Sequence, residues 1–425
     1  MARAGSARSI AIGAVIAALT LAPASGEVGV SPWCVSCGDR GLADLLLNIL
    51  LFAPLGASVA ASGGTARRAL LTGLAFSLGI ELLQLVIPGR APTARDVIAN
   101  GFGAWIAAVS FHTIVHWLAD TRRRRRRAAL YLLLLAIGLA GLRWLDAPAH
   151  LRSFHWTQWQ PLLGDAPRWP GLLHGVSLGG TPLPEGRLTP EHPLRDLLDA
   201  DSTLRLDLLA AGRTPEWMPI FGLVDSWRVH QVLLGQDGDD LMLRLGRRSS
   251  YLLLETPEIR IPGALRDIPH DSAFTITLRG IAAGRPCLGV IVADSAASYC
   301  APGTTPGRVW GLFLSSAPRT PDAGGHPLDA LTMALLLLPF GVLLAGLPRR
   351  QQLAAAGIAI ALLVAWTRTL GFAWPSGAEA LAMPIGLAVG AVLGRRLAAS
   401  GNVADDARAD DAGQGHGQPL PDAHG

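Results

Sequence analysis

The sequence has no lysine and little charge of either sign. Only 16% of its 425 residues are charged, whereas half are hydrophobic. A chain this apolar is not an ordinary soluble protein of its length, which favours a membrane class before any segment is inspected. The net charge of +4 rests on arginine alone, and coding bias accounts for that better than a nucleic-acid partner does. Cysteine is scarce: Cys34 lies near Cys37 and Cys287 near Cys300. Two local pairs are possible only if both regions face an oxidising compartment. The histidines form no H-E-x-x-H or comparable signature, so no metal site is expected. No phosphate-binding glycine loop is present, which leaves ATP-driven transport unsupported. No cofactor is implied, and no internal repeat stands out.

Apolar runs are abundant. A spanning helix needs about 20 mostly apolar residues to cross a hydrocarbon core about 30 Å thick. The runs at 10–24, 42–61, 69–87, 97–118, 128–144, 328–347, 352–370 and 378–397 qualify, predicting about eight spans. Arg3 and Arg8 precede the first, Arg67 and Arg68 separate the second and third, and an arginine run at 122–127 follows the fourth. Arg349 and Arg350 follow the sixth, and Arg395 and Arg396 close the eighth. If the spans alternate, all these clusters share one side. Positively charged loops stay cytoplasmic, so both termini are expected there, in a bacterial inner membrane, with 146–327 outside. The run at 122–127 reads as a topology anchor touching anionic lipid. The first span could also be a cleaved signal peptide, since Ala22-Pro23-Ala24 offers small residues at a suitable spacing. Residues 398–425, rich in Asp, Gly and Ala, are predicted to be a disordered cytoplasmic tail.

Residues 1–146 are thus expected to form an N-terminal membrane domain and 147–197 a linker. Short alternating runs follow at 203–209, 219–224, 229–234, 241–245, 251–255, 274–278, 287–292 and 309–314. They predict an antiparallel β-sandwich over 198–316, with Asp237-Gly238 as a hairpin signal because both residues accept positive φ. The fold class is an α-helical polytopic membrane protein with an inserted all-β sandwich, closed by membrane helices over 328–397. Cys287 and Cys300 flank a turn and are either bridged or two unpaired sandwich cysteines. This region resembles laminin-G and concanavalin-like modules, most clearly in the hairpin at 229–244; such folds often bind glycans, and many are structural. Trp217, Trp227 and Trp310 are candidate sugar platforms with packing as the plainer reading, and Trp156, Trp159 and Trp169 are expected at the membrane interface.

Spans two to four carry polar residues that composition alone does not explain. Asp44 and Asn48 lie one helical turn apart, ahead of Phe52, Pro54 and Gly56, while Ser77, Glu81 and Gln84 share a face of the third span. After Pro88-Gly89-Arg90, the residues Asp96, Asn100 and Gly103 recur at the start of the fourth. Alternation puts all three faces in the outer half of the bilayer. An ionised residue deep in a span costs roughly 2.5–3.5 kcal/mol and less near the interface. Three carboxylates therefore need compensation, from Arg40, Arg90 or Arg95, or a function. The plain alternative is interhelical hydrogen-bond glue with a kink at Pro54. Cys34 and Cys37, near Asp39, could hold metal or cycle, but without a second C-x-x-C a small structural disulfide is the simpler reading.

These residues resemble the VanZ-like family of bacterial membrane proteins. Its ordered pattern is matched by Asp44, Asn48, Phe52-Ala53-Pro54-Leu55-Gly56, Ser77, Glu81-Leu82-Leu83-Gln84, Arg90, Asp96 and Asn100, over 44–107. Position 93 is Thr where an acidic residue or serine is common. The resemblance implies a link to the cell envelope and, for the family's namesake, reduced susceptibility to the glycopeptide teicoplanin; it supplies no established reaction.

Three functions are compatible with this reading. In the first, Asp44, Asn48, Ser77, Glu81, Gln84, Arg90, Asp96 and Asn100 bind an anionic or sugar-bearing lipid, such as a cell-wall precursor, while the sandwich contacts glycan. Arg90 would meet phosphate or carboxylate, and Asn48, Gln84 and Asn100 would hydrogen-bond sugar or headgroup. The second is an enzyme on such a lipid with Glu81 or Asp96 as general base. The third is a structural or assembly module. Membrane lipid and a glycan or lipid-linked precursor are the expected partners, nucleic acid is not, and the oligomeric state is open.

Overall fold

The structure, a computed structural model, describes residues 2–23, 40–90, 92–119, 123–148, 154–157, 167–188, 202–225, 229–256, 258–280, 286–293, 295–301, 303–314 and 326–414. Eight helices form where the apolar runs predict them: α1 (Ala2–Thr20), α2 (Gly41–Ala61), α3 (Ala66–Gln84), α4 (Ala94–Ala119), α5 (Arg124–Leu145), α6 (Pro327–Leu344), α7 (Arg349–Thr369) and α8 (Gly377–Gln414). Six of these, α2 and α4 through α8, are long and apolar enough to cross a membrane. In α3 the apolar run is broken by Arg67, Arg68 and Glu81, and the apolar part of α1 is short, Ala7–Thr20. Side-chain caps set two of the starts. Thr65 Oγ1 accepts the Arg68 N–H at 3.2 Å ahead of α3, and His326 with Asp329 forms a capping box ahead of α6, with Pro327 in its first turn. The helix α8 runs on to Gln414, through much of the segment predicted to be disordered. Ala404, Ala407, Ala409 and Ala412 there supply helix propensity that a composition argument overlooks.

Between α5 and α6 lies a β-sandwich of twelve strands: β1 (Phe154–Thr157), β2 (Leu172–Leu178), β3 (Thr181–Pro182), β4 (Gly186–Leu188), β5 (Thr203–Leu209), β6 (Met218–Asp225), β7 (His230–Asp237), β8 (Asp240–Leu245), β9 (Glu258–Ile261), β10 (Ala273–Arg279), β11 (Cys287–Val292) and β12 (Ser295–Cys300). Two six-stranded antiparallel sheets are ordered β4-β1-β6-β7-β8-β9 and β12-β11-β10-β5-β2-β3. Alternation drives the packing: Leu204, Leu206 and Leu208 of β5 point into a core they share with Phe221, Leu241, Leu243 and Ile276. The β7–β8 hairpin turns where Asp237-Gly238 predicts it, with Gly238 at φ +64°. Cys287 and Cys300 form a disulfide across β11 and β12.

The sandwich differs from its sequence reading in three places. It begins at β1, inside the expected linker 147–197: β1, β3 and β4 are too short for an alternation to be recognised, and β2 carries a register shift between Leu173 and Gly175. Trp156 and Trp169 are buried in the sandwich core, Trp156 against Phe221 and Trp169 donating to Gln236 Oε1 at 2.8 Å, so neither serves the membrane interface. Predicted strands at 251–255 and 309–314 are replaced by 3-10 turns at Arg248–Leu252 and Pro306–Leu312; Leu253 at φ +56° ends the first, and Pro306 opens the second.

The insert rests on the helix ends of one side. The Leu253 carbonyl accepts the Leu42 and Ala43 N–H groups at the start of α2 at 3.1 and 3.2 Å, and Arg40 pairs with Glu255 at 3.3 Å. Arg247 forms a buried ion pair with Asp146 at the end of α5. Ala373, past the end of α7, donates to the Thr304 carbonyl at 2.9 Å, and Gly307 donates to Glu379 at the start of α8 at 2.9 Å. The arginine clusters Arg67–Arg68, Arg349–Arg350 and Arg395–Arg396 mark the opposite ends of the helices.

Two helix pairs are built alike. In the first, a Cβ on Gly56 of α2 would overlap the Ala104 carbonyl of α4, and one on Gly103 would overlap the Ile49 carbonyl. In the second, a Cβ on Gly341 of α6 would overlap the Leu387 carbonyl of α8, and one on Gly386 the Ala334 carbonyl. The four contacts share one register. Asp44, Pro54 and Gly56 are spaced as Asp329, Pro339 and Gly341, and Asp96 and Gly103 are spaced as Glu379 and Gly386. The chain therefore contains an internal repeat that the sequence does not display. The third helices differ more: Gly73 and Gly101, which let α3 close on α4, stand where α7 and α8 have Ala355 and Pro384.

Replacing Gly103 or Gly386 by Ala must force two backbones apart, and each change is expected to cost about 1–3 kcal/mol in detergent unfolding. Gly79→Ala, which meets nothing within 4 Å, is expected to match or exceed wild type. At the seam, burial pushes the Glu255 carboxyl above its ordinary range, while Arg40 and then Arg244 pull it down. A carboxyl with a higher pKa folded than unfolded adds stability at low pH and loses it as pH rises through the folded value. The melting temperature should therefore fall from acid to neutral pH more in wild type than in Glu255→Gln.

Candidate functional site

Six of the eight residues singled out in spans two to four meet at the ends of α2, α3 and α4 that face the β insert, in two layers. The deeper layer is closed on itself except at Asn100 Oδ1, which is buried without a hydrogen-bond partner among the described residues. Asn100 Nδ2 donates to Ser77 Oγ at 2.8 Å, and both residues are buried. Glu81 Oε2 accepts the Thr93 N–H at 2.8 Å, and Thr93 Oγ1 accepts the Asp96 N–H at 3.2 Å. Thr93 is thereby the N-cap of α4, and Glu81 reaches from α3 to do what the third residue of a capping box does for its own helix.

The outer layer is open. Freed from capping, Asp96 Oδ1 accepts Asn48 Nδ2 at 2.8 Å and faces Arg95 Nε at 3.4 Å. Arg95 Nη2 stands 3.5 Å from Asp44 Oδ2. The Arg95 side chain is only 9% exposed, whereas that of Asp44 is 47% exposed. Arg95 Nη1 is buried without a hydrogen-bond partner among the described residues, a vacancy that costs free energy unless something fills it. With Glu255 and Arg40 at the rim, three carboxylates face two guanidinium groups at this mouth. Around it Leu82, Leu83, Val86 and Ile98 are exposed, as residues facing lipid would be.

Gln84 and Arg90 do not join the cluster. Gln84 Nε2 donates to the Thr20 carbonyl at 2.9 Å, and Arg90 Nε and Nη2 donate to the Ala22 carbonyl at 2.9 and 2.7 Å, so both tie down the end of α1. Orphan carbonyls at a helix C-terminus attract such donors. Arg95, which the sequence offers only as one of three counter-ions, takes the central place. Thr93 was legible as well, since Thr93-Ala94-Arg95-Asp96 has the form of an N-terminal capping sequence. Nothing in the sequence announces Glu255 across the seam.

Other candidates fare differently. Trp310 donates its indole N–H to Asp329 at 2.8 Å and packs on His326, which makes it part of the seam. Trp217 lies over Gly235 beside Arg244. Trp159, Trp227, Cys34 and Cys37 lie outside the described residues. Among the described residues no group of three or more His, Cys, Asp or Glu could hold a metal ion.

A family model described as VanZ/LLP1 matches residues 11–116, the stretch that contains α2, α3 and both layers of the cluster. Among curated proteins and among solved structures, nothing matches the chain. Residues 11–116 are thus similar to the VanZ/LLP1 family, and the apolar helices and the two antiparallel sheets make the chain a multi-helix protein of membrane type with a β insert.

Proposed function

We propose that the chain is a multi-pass protein of the bacterial inner membrane whose α2–α4 cluster binds the headgroup of an envelope lipid at the outer leaflet. In this reading both termini are cytoplasmic, following the arginine clusters, and the sandwich stands outside, where its disulfide is stable. The observation that carries the proposal is the repeated helix pair. In the register of the glycine contacts, Asn48 and Asn100 correspond to Met333 and Met383. Aligning Arg67–Arg68 with Arg349–Arg350 puts Ala359 and Leu363 where Ser77 and Glu81 stand. All four replacements belong to one apolar cluster. The α6–α8 packing thus holds with no polar side chain at the Asn48 and Asn100 positions, so adhesion of α2 to α4 alone does not require those two residues. Buried polar groups in a membrane that are not needed for packing point to a ligand.

A structural reading has one observation in its favour. The Glu81–Thr93 contact caps α4 and is internally satisfied, so part of the deep layer serves the fold. The open outer layer is not accounted for in that way.

The double change Asn48→Met with Asn100→Met makes the first cluster resemble the second. Its expected behaviour is normal abundance and melting temperature, with loss of lipids that wild type retains in mild detergent, measured by lipid mass spectrometry. Unchanged lipid retention would contradict the proposal, and collapse of abundance would favour the structural reading. A teicoplanin susceptibility assay on cells carrying the same variant should move toward that of cells lacking the protein.

A further inference from the structure

The second mouth of the repeat is occupied, and its occupant shows what the first mouth is built to take. At the outer ends of α6 and α8, Asp329 and Glu379 stand where Asp44 and Asp96 stand in the first copy. Both are fully buried, at 1% and 0% exposure. The insert's turn Pro306–Leu312 fills the space between them. Arg308 Nε meets Asp329 Oδ2 at 3.0 Å, Trp310 Nε1 donates to Asp329 Oδ1 at 2.8 Å, and the Gly307 N–H donates to Glu379 Oε1 at 2.9 Å. The occupant thus brings one positive charge and several N–H donors, and no acceptor of its own meets the two carboxylates.

In the first copy the guanidinium comes from within. Arg95 occupies the position that is Ala378 in α8 and takes the place of Arg308. Among the described residues no segment of the insert supplies the other donors. Asp44 Oδ1 and Asp96 Oδ2, which correspond in role to the oxygens that hold the Trp310 and Gly307 N–H groups, have no partner among the described residues. Arg40, the nearest further cation on α2's side, pairs with Glu255 at 3.3 Å and acts on Asp44 as well. Three carboxylates, Asp44, Asp96 and Glu255, against the two guanidinium groups of Arg95 and Arg40 leave one excess negative charge, and the free acceptor oxygens call for N–H donors with positive charge, while the unpartnered Arg95 Nη1 calls for an acceptor such as the phosphate of the same headgroup.

We infer that the first mouth takes a primary ammonium group borne on a lipid headgroup, as in phosphatidylethanolamine, with Asp44 and Asp96 as its acceptors and Arg95 fixed between them. The inference rests on the headgroup reading above and narrows it to a chemical class. A primary ammonium supplies three N–H donors and one charge in a volume smaller than the Arg308–Trp310 turn. Full N-methylation keeps the charge and removes every donor, so the ligand itself can be varied without touching the protein.

The test is native mass spectrometry of the full chain with phosphatidylethanolamine, phosphatidylcholine and phosphatidylglycerol of identical acyl composition, for wild type, Asp44→Asn and Asp329→Asn. Wild type is expected to retain phosphatidylethanolamine about five-fold or more over the other two, given that each tenfold is about 1.4 kcal/mol. Asp44→Asn should bring the three lipids to parity, and Asp329→Asn should keep the preference while loosening the insert. Equal retention of phosphatidylethanolamine and phosphatidylcholine by wild type overturns the ammonium assignment, even if Asp44→Asn does not fold. If phosphatidylglycerol is preferred and Asp44→Asn abolishes that preference, the ammonium assignment fails and the headgroup reading stands. If wild type retains none of the three lipids above the level of Asp44→Asn, both fail.

Discussion

The approach of the α2 backbone to that of α4, through Gly56 against Ala104 and Gly103 against Ile49, governs the arrangement of the membrane domain. Without a hydrophobic effect between helices in lipid, packing depends on close approach, and glycine permits it. Once these two backbones touch, the first turns of both helices stand side by side, and the residues there must face each other. Asp44 of α2 and Asp96 of α4 become neighbours for that reason. The same contact between α6 and α8 makes neighbours of Asp329 and Glu379, each bonded to the turn Pro306–Leu312. Paired acids at the end facing the insert are thus a consequence of the packing register, and each copy has had to deal with them.

The two copies have resolved that problem differently. In the second, the acids are buried by a turn of the insert, which converts their cost into an anchor for the soluble domain. In the first, Arg95 compensates from α4 itself, and the insert reaches only the rim, at Leu253 and Glu255. Below the acids the divergence continues, with Met333, Ala359, Leu363 and Met383 on one side and Asn48, Ser77, Glu81 and Asn100 on the other. One copy has become an apolar support and the other keeps a polar interior that opens toward the insert's rim. The VanZ/LLP1 match covers residues 11–116, which contain the polar copy.

Much of this fold was legible because its signals are local. Eight apolar runs mark eight helices, and Leu204, Leu206 and Leu208 mark a strand by alternation alone. The polar residues of spans two to four were also visible, because helical spacing groups them. What stayed hidden depends on contacts between distant segments. Arg90 stands out in the sequence and Arg95 is only one of three possible counter-ions, yet Arg95 fills the mouth and Arg90 binds the Ala22 carbonyl. Trp156 and Trp169 read as interfacial because they follow a span, although short strands carry them into the sandwich core. The repeat escaped notice because its preserved positions, an acid, a proline and a glycine in α2 and α6 and an acid and a glycine in α4 and α8, are few, and the side chains between them have changed class. Backbone contacts preserve it, and those are read only in three dimensions.

The most direct measurement is an electron cryomicroscopy map of the chain in nanodiscs made from native membrane lipid, at a resolution that shows headgroups. The account requires a lipid headgroup between Asp44 and Asp96, beside Arg95, with the turn Pro306–Leu312 seated between Asp329 and Glu379. A map in which the first mouth is closed by protein, or holds only water while lipid occupies the second, would contradict it.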